Sequence, residues 1–155
     1  VIIAGNHDFA FEQSAAAAEA LVPRGVTYLR NSGVTLDGVR FWGSPYQPEF
    51  FDWAFNLKRG APLARVWAKI PSDVQVLVTH GPPSGILDRV RPSGRHEGCE
   101  DLARRLAELP QLSLHAYGHI HEDYGSVKIG NCTYVNASIC TLEYAPVNAP
   151  LVVDL

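Results

Sequence analysis

The sequence predicts a mixed α/β domain in which at least one sheet is covered by helices. Three observations predict it. Short β-branched runs bounded by turn residues outnumber helical patterns, hairpin signals occur beside helical crossovers, and three predicted strands open into histidine-bearing loops. The 155 residues suit one domain able to bury a real core. At 46% hydrophobic and 19% charged, the composition excludes disorder as a description of the whole.

Val1–Ala4 is a short apolar run ended by Gly5-Asn6, which predicts a buried strand entering a loop. Glu12–Leu21 contains four consecutive alanines and predicts a helix closed by Pro23 and Gly25. Val26–Leu29, Val34–Leu36 and Val39–Trp42 predict strands, the last two joined as a hairpin at Asp37-Gly38. Pro62 suits the first turn of a helix running through Ala64, Val66, Trp67 and Ile70. Val74–Val78 predicts a strand ending at Thr79-His80-Gly81. Cys99–Leu109 places apolar residues on one helical face and stops at Pro110. Leu112–Tyr117, Tyr124–Ile129, Thr133–Val135 and Leu151–Val153 predict a strand-rich C-terminal third. Arg89–Arg95, with Pro92 and Gly94, reads as a mobile surface loop.

Several classes are excluded or disfavoured. No uninterrupted apolar stretch approaches the roughly 18–20 residues of a membrane span. A net charge of −3 argues against nonspecific nucleic-acid or anionic-membrane binding. Three cysteines are too few and odd in number for a disulfide framework, so a reducing compartment, the cytoplasm, is expected. The chain opens inside an apolar run without methionine, which reads as a cut.

The chemistry concentrates in Gly5-Asn6-His7-Asp8, Thr79-His80-Gly81-Pro82 and Gly118-His119-Ile120-His121, each following a predicted strand. Ligands of α/β sheets collect at the carboxyl ends of strands. His119 and His121 are two apart, so in extended chain they share a face beside a glycine that lets backbone approach. Each block alone also fits a plain structural role: a hydrogen-bonded loop histidine, or a turn favoured by Asn and Asp. Their joint occurrence points to one shared site. His115 lies inside a predicted strand and reads as structural, and His96 sits in the arginine-rich loop outside the expected site.

These three blocks, in this order, resemble the last three motifs of the calcineurin-like metallophosphoesterase superfamily. The nearer resemblance is to its metallophosphoesterase-domain-containing branch, itself similar to class III cyclic-nucleotide phosphodiesterases. Phe55-Asn56-Leu57-Lys58-Arg59-Gly60, Gly98-Cys99 and Tyr134-Val135-Asn136-Ala137-Ser138 carry the likeness onward, nearly end to end. The resemblance implies a β-sandwich flanked by helices, four layers α/β/β/α, with residues 1–155 as the C-terminal portion of one such domain lacking its first strands.

The resemblance also implies roles. Asn6, His80 and His119 would hold the second of two divalent ions, and His121 would reach the first. His7 would stand beside the scissile phosphate, stabilising charge or protonating the leaving group, with Asp8 as its orienting partner. Amide oxygen and neutral imidazole suit Mn²⁺, Fe²⁺ or Zn²⁺, Mn²⁺ being the expected ion. Two ions about 3.5–4 Å apart would stabilise the attacking and leaving oxygens of an in-line displacement. The family's Asp-x-His and Gly-Asp motifs have no counterpart here, so the expected site is partial and the isolated chain is expected to be inactive and poorly stable. The implied partner is a small phosphoester, a cyclic nucleotide among the candidates. The alternative is a non-catalytic metal- or nucleotide-binding protein on the same fold.

Overall fold

Four neighbouring parallel strands organise the molecule, and their carboxyl ends all point the same way. The computed structural model describes residues 1–155, the side chain of Ala15 excepted. In chain order the strands are β1 (Ser32–Leu36), β2 (Val39–Ser44), β3 (Gln47–Pro48), β4 (Asn56–Leu57), β5 (Val76–Thr79), β6 (Leu114–Tyr117), β7 (Gly125–Ile129) and β8 (Cys132–Asn136). The helices are α1 (Phe9–Gln13), α2 (Ala15–Leu21), α3 (Ala61–Trp67) and α4 (Glu100–Leu106). Six strands form one sheet in the order β1-β2-β5-β6-β8-β7, and β3 and β4 form a two-residue parallel pair apart from it. The interior pairs β2·β5, β5·β6 and β6·β8 are parallel, and antiparallel β1 and β7 close the edges.

The hairpin expected at Asp37-Gly38 joins β1 to β2. Both turn residues have positive φ, +49° and +82°, as a two-residue turn matching the strand twist requires. The crossovers from β2 to β5 and from β5 to β6 carry α3 and α4, which pack together on one face of the sheet. Pro62 sits in the first turn of α3 as predicted. Leu63, Trp67, Leu102 and Leu106 from the helices meet Leu77, Tyr117 and Tyr134 from the strands in one buried cluster. Truncating a leucine buried this completely costs about 2–5 kcal/mol. Register sets this face: Leu77, His115 and Tyr134 lie side by side on β5, β6 and β8. Val78 and Ala116, one residue on, turn to the opposite face and line the cleft described below.

Several local expectations change. The helix predicted over Glu12–Leu21 is two short ones. Ser14 is extended (φ −145°, ψ 109°), and its hydroxyl accepts the Ala17 N–H to cap α2, so a capping residue outweighs alanine propensity. Val1–Ala4 and Val26–Leu29 do not join the sheet. They meet each other at a single bridge, Ile2 to Tyr28, fixed by Ile2 N–H to Thr27 O (2.8 Å) and Leu29 N–H to Ile2 O (2.9 Å). Leu151–Val153 forms no strand. The Arg89–Arg95 segment is an exposed hairpin tied at its rim, with Arg89 and Arg91 N–H donating to Asp123 and Glu122 carboxylates.

Candidate active site

The hydrogen-bond ladder continues past the strand ends and carries the histidine loops with it. His80 N–H donates to Ser44 O (3.3 Å), Gly118 N–H to His80 O (3.0 Å) and Ala137 N–H to Tyr117 O (2.7 Å). The loops after β2, β5, β6 and β8 are thereby clamped in parallel, and the Gly5–Asp8 loop lies against them. Gly5 makes this contact possible: a Cβ there would stand 2.8 Å from His80 Cε1 and Nδ1.

All six residues expected at the site, Asn6, His7, Asp8, His80, His119 and His121, line one cleft of about 690 Å³. Asn6 is buried, and its Oδ1 accepts from His80 Nε2 at 3.0 Å. The His80 and His119 rings lie 4.7 Å apart. Burial, reinforced by the neighbouring His119, lowers the His80 pKa to about 3. Burial, with His121 and His7 nearby, lowers that of His119 to about 4. Both imidazoles are therefore neutral at physiological pH, the form that has a lone pair to give. His121 donates Nδ1–H to Thr141 O (2.9 Å), which leaves Nε2 as its free lone pair. His119 itself has φ +74°, a conformation that turns the chain sharply between Gly118 and Ile120.

His7 is exposed at the mouth, with its ring centroid 5.1 Å from that of Trp53. Asp8 makes no hydrogen bond to it in the structure. The Asp8 carboxylate accepts the Gly5 N–H at 2.6 Å and closes the turn instead, because that backbone donor is three residues back in the same tight loop. His96 is engaged elsewhere, against the fully buried Asp88 at 2.5 Å.

A family profile described as calcineurin-like phosphoesterase matches residues 1–123. The chain belongs to the calcineurin-like phosphoesterase family. Within it, the chain is similar to human metallophosphoesterase domain-containing protein 1, at 42% identity over 177 aligned positions covering all of this chain and 54% of the relative. It is also 35% identical to the Caenorhabditis elegans UPF0046 protein K07C11.7, over 90% of this chain and 51% of that one. The chain thus spans about half the length of the curated relatives it matches. A solved crystal structure superposes with TM-score 0.68 at 20% identity, covering 91% of this chain and 57% of the other. The protein TT1561 of Thermus thermophilus gives 0.51 at 15%, covering 88% and 61%. Both are likenesses of fold.

The donors of the cleft can be tested against the divalent ions usual in the calcineurin-like phosphoesterase family. Among the described residues no group of three or more His, Cys, Asp or Glu side chains converges on one point. What converges is an amide oxygen and two neutral imidazoles, with Asn6 Oδ1 accepting from His80 Nε2. That set fits one borderline divalent ion. For a second ion the cleft offers the free Nε2 of His121.

Sequence reasoning missed the residues that hold this cleft in shape. Asn136, fully buried, donates both amide protons, to Ile120 O (2.8 Å) and Leu87 O (3.0 Å), and accepts from Ser138 Oγ (2.8 Å). It fixes the peptide between His119 and His121, and its signal was a polar Asn-Ala-Ser triplet closing an apolar strand. His115 is structural, as expected, yet it also reaches the site. Thr79 Oγ1 gives its single proton to Gly81 O (2.8 Å), so His115 Nε2–H donates to Thr79 Oγ1 (2.7 Å) and props the His80 loop from below. Trp53, which no motif flagged, forms one wall of the cleft.

Proposed function

We propose that this chain carries the metal-binding and phosphate-facing part of a metal-dependent phosphoesterase that hydrolyses phosphodiesters at a two-ion centre. The observation that carries the reading is the convergence of Asn6 Oδ1, His80 and His119 at the carboxyl ends of parallel strands, with His7 free at the mouth. When bound, divalent ions supply Lewis acidity toward the phosphoryl oxygens. Asn6, His80 and His119 would hold one such ion, and His121, with Nδ1 bound to Thr141 O, would offer Nε2 to the other. Thr141, Asn136 and His115 keep these donors oriented. His7 stands where its ring can give a proton to a leaving oxygen or stabilise charge on it.

In this reading Mn²⁺ is the ion, a small phosphodiester, a cyclic nucleotide among the candidates, is the substrate, and the cytoplasm is the compartment. Free thiols at Cys99, Cys132 and Cys140 agree with a reducing one. The 155-residue chain alone is expected to turn over slowly or not at all, because no carboxylate joins the converging donors. The test is Mn²⁺ titration by calorimetry, followed by bis-p-nitrophenyl phosphate turnover in the chain and in the same chain fused behind the N-terminal half of its human relative. His119→Ala should abolish ion binding in both, and His7→Ala should lower turnover about 10²-fold or more in the fusion while binding persists. Ion binding without turnover in the fusion would favour the non-catalytic alternative; no ion binding would overturn the metal-dependent reading.

A further inference from the structure

His7 lines the mouth of the cleft with a ring that few groups hold. His80, His96, His115 and His121 each carry a hydrogen bond at a ring nitrogen. Among the described residues the rings of His7 and His119 carry none. His119 packs on His80, with 4.7 Å between ring centroids. His7 is exposed, and the Oδ2 of its sequence neighbour Asp8 is taken by the Gly5 N–H. What lies against the His7 ring is the Trp53 indole, its centroid 5.1 Å away and its plane tilted by 49°.

The indole is itself held. Ala54 N–H donates to Asn6 O (2.9 Å), so the backbone beside Trp53 is tied to the backbone beside His7. Phe50 and Phe51 pack on Trp53 at 5.3 Å and 5.4 Å, and on each other at 4.4 Å. Asn56 Nδ2 donates to Phe51 O (2.7 Å) and Phe50 O (3.2 Å). Phe51 has φ +49°, a conformation bulky residues keep only where their surroundings impose it. The exposure of the two phenylalanines, 53% and 70%, thereby has a structural reason: they buttress the indole.

An aromatic pair at this distance favours the seated arrangement about 2- to 13-fold. A proton donor acts on a leaving oxygen only from within hydrogen-bond reach, and a ring spread over several rotamers is out of reach part of the time. We propose that Trp53, buttressed by Phe50 and Phe51, is the positioning residue for His7 and confines its imidazole to the rotamer that faces the cleft. The proposal rests on the phosphoesterase reading and adds what aims its proton donor.

Two measurements test it. Solution NMR of the chain without added ion reads the His7 side-chain rotamer from three-bond couplings. One rotamer is expected in the wild type and in Trp53→Phe, and averaged couplings in Trp53→Ala with cooperative melting retained. Averaging in the wild type, or no change in Trp53→Ala, overturns the proposal. In the fusion described above, Trp53→Ala should lower kcat about 2- to 13-fold, and Trp53→Phe should recover most of that loss. Trp53→Ala should add nothing once His7 is replaced by alanine, because residues that act through one another are not additive. The same loss with and without the His7 imidazole would show Trp53 acting on the substrate directly and overturn the proposal. Turnover unaffected by His7→Ala overturns the proton-donor role in the phosphoesterase reading, while the rotamer measurement decides by itself whether Trp53 holds the ring.

Discussion

Gly5 shows how one missing methyl group sets the chemistry. Its Cα packs against the His80 ring, where a Cβ would intrude to 2.8 Å of two ring atoms. Gly5→Ala should therefore displace His80 and lower Mn²⁺ affinity about 10- to 100-fold, the range for a residue that orients a ligand; unchanged affinity by calorimetry would contradict this. His115 acts from the other side. Complete burial lowers its pKa to about 3, so the folded state holds it neutral. A histidine depressed on folding contributes fully above its unfolded pKa near 6.5 and loses that contribution as pH falls toward 3. Urea unfolding across this window should show stability falling with acid, and His115→Gln should remove about 1.4 kcal/mol per pH unit from the slope. Equal slopes would refute it.

Elements depend on polar contacts that hydrophobic patterning does not specify. Asp101, in the first turn of α4, is buried, and its Oδ2 accepts the N–H of Gly60 at 2.8 Å, the residue that opens α3. Its other oxygen pairs with Arg104, whose exposed side chain makes that pair worth little. The link to Gly60 joins the two helices that cover the sheet. Asp101→Ala should destabilise the chain by about 2–3 kcal/mol in chemical denaturation, as for a lost hydrogen bond to a charged group, while Asp101→Asn keeps the acceptor and most of the stability. Should both variants lose the same amount, charge and not the hydrogen bond would be the cause.

At the scale of the whole molecule, support for the site is uneven. His80 and His119 follow β5 and β6, each paired on both sides. Asn6 follows Ile2, whose segment pairs only with the stretch around Tyr28 and leaves Val1 42% and Ile2 38% exposed. The amides of Ile2 and Leu29 should exchange with solvent orders of magnitude faster than those of Leu77 and Ala116 by hydrogen exchange. Matching protection would show that the segment shares the stability of the sheet. No helix is long and apolar enough to cross a membrane.

The sequence by itself determined the α/β class, the β1–β2 hairpin, the two covering helices and six of the residues that line the cleft. Each rests on local rules: strand-ending turn residues, helical spacing, and side chains whose types suit one chemistry. The family resemblance was legible for the same reason, because its motifs are contiguous blocks. Only the tertiary structure decided that Val1–Ala4 stands outside the sheet and that Leu151–Val153 forms no strand. It alone brought Trp53, Asn136 and Thr141 to the site from distant parts of the chain. The physical reason is common to all of these. Strand pairing and hydrogen-bond partnership are settled by what lies nearest in space, and residues tens of positions apart along the chain are not coupled by any periodicity it contains.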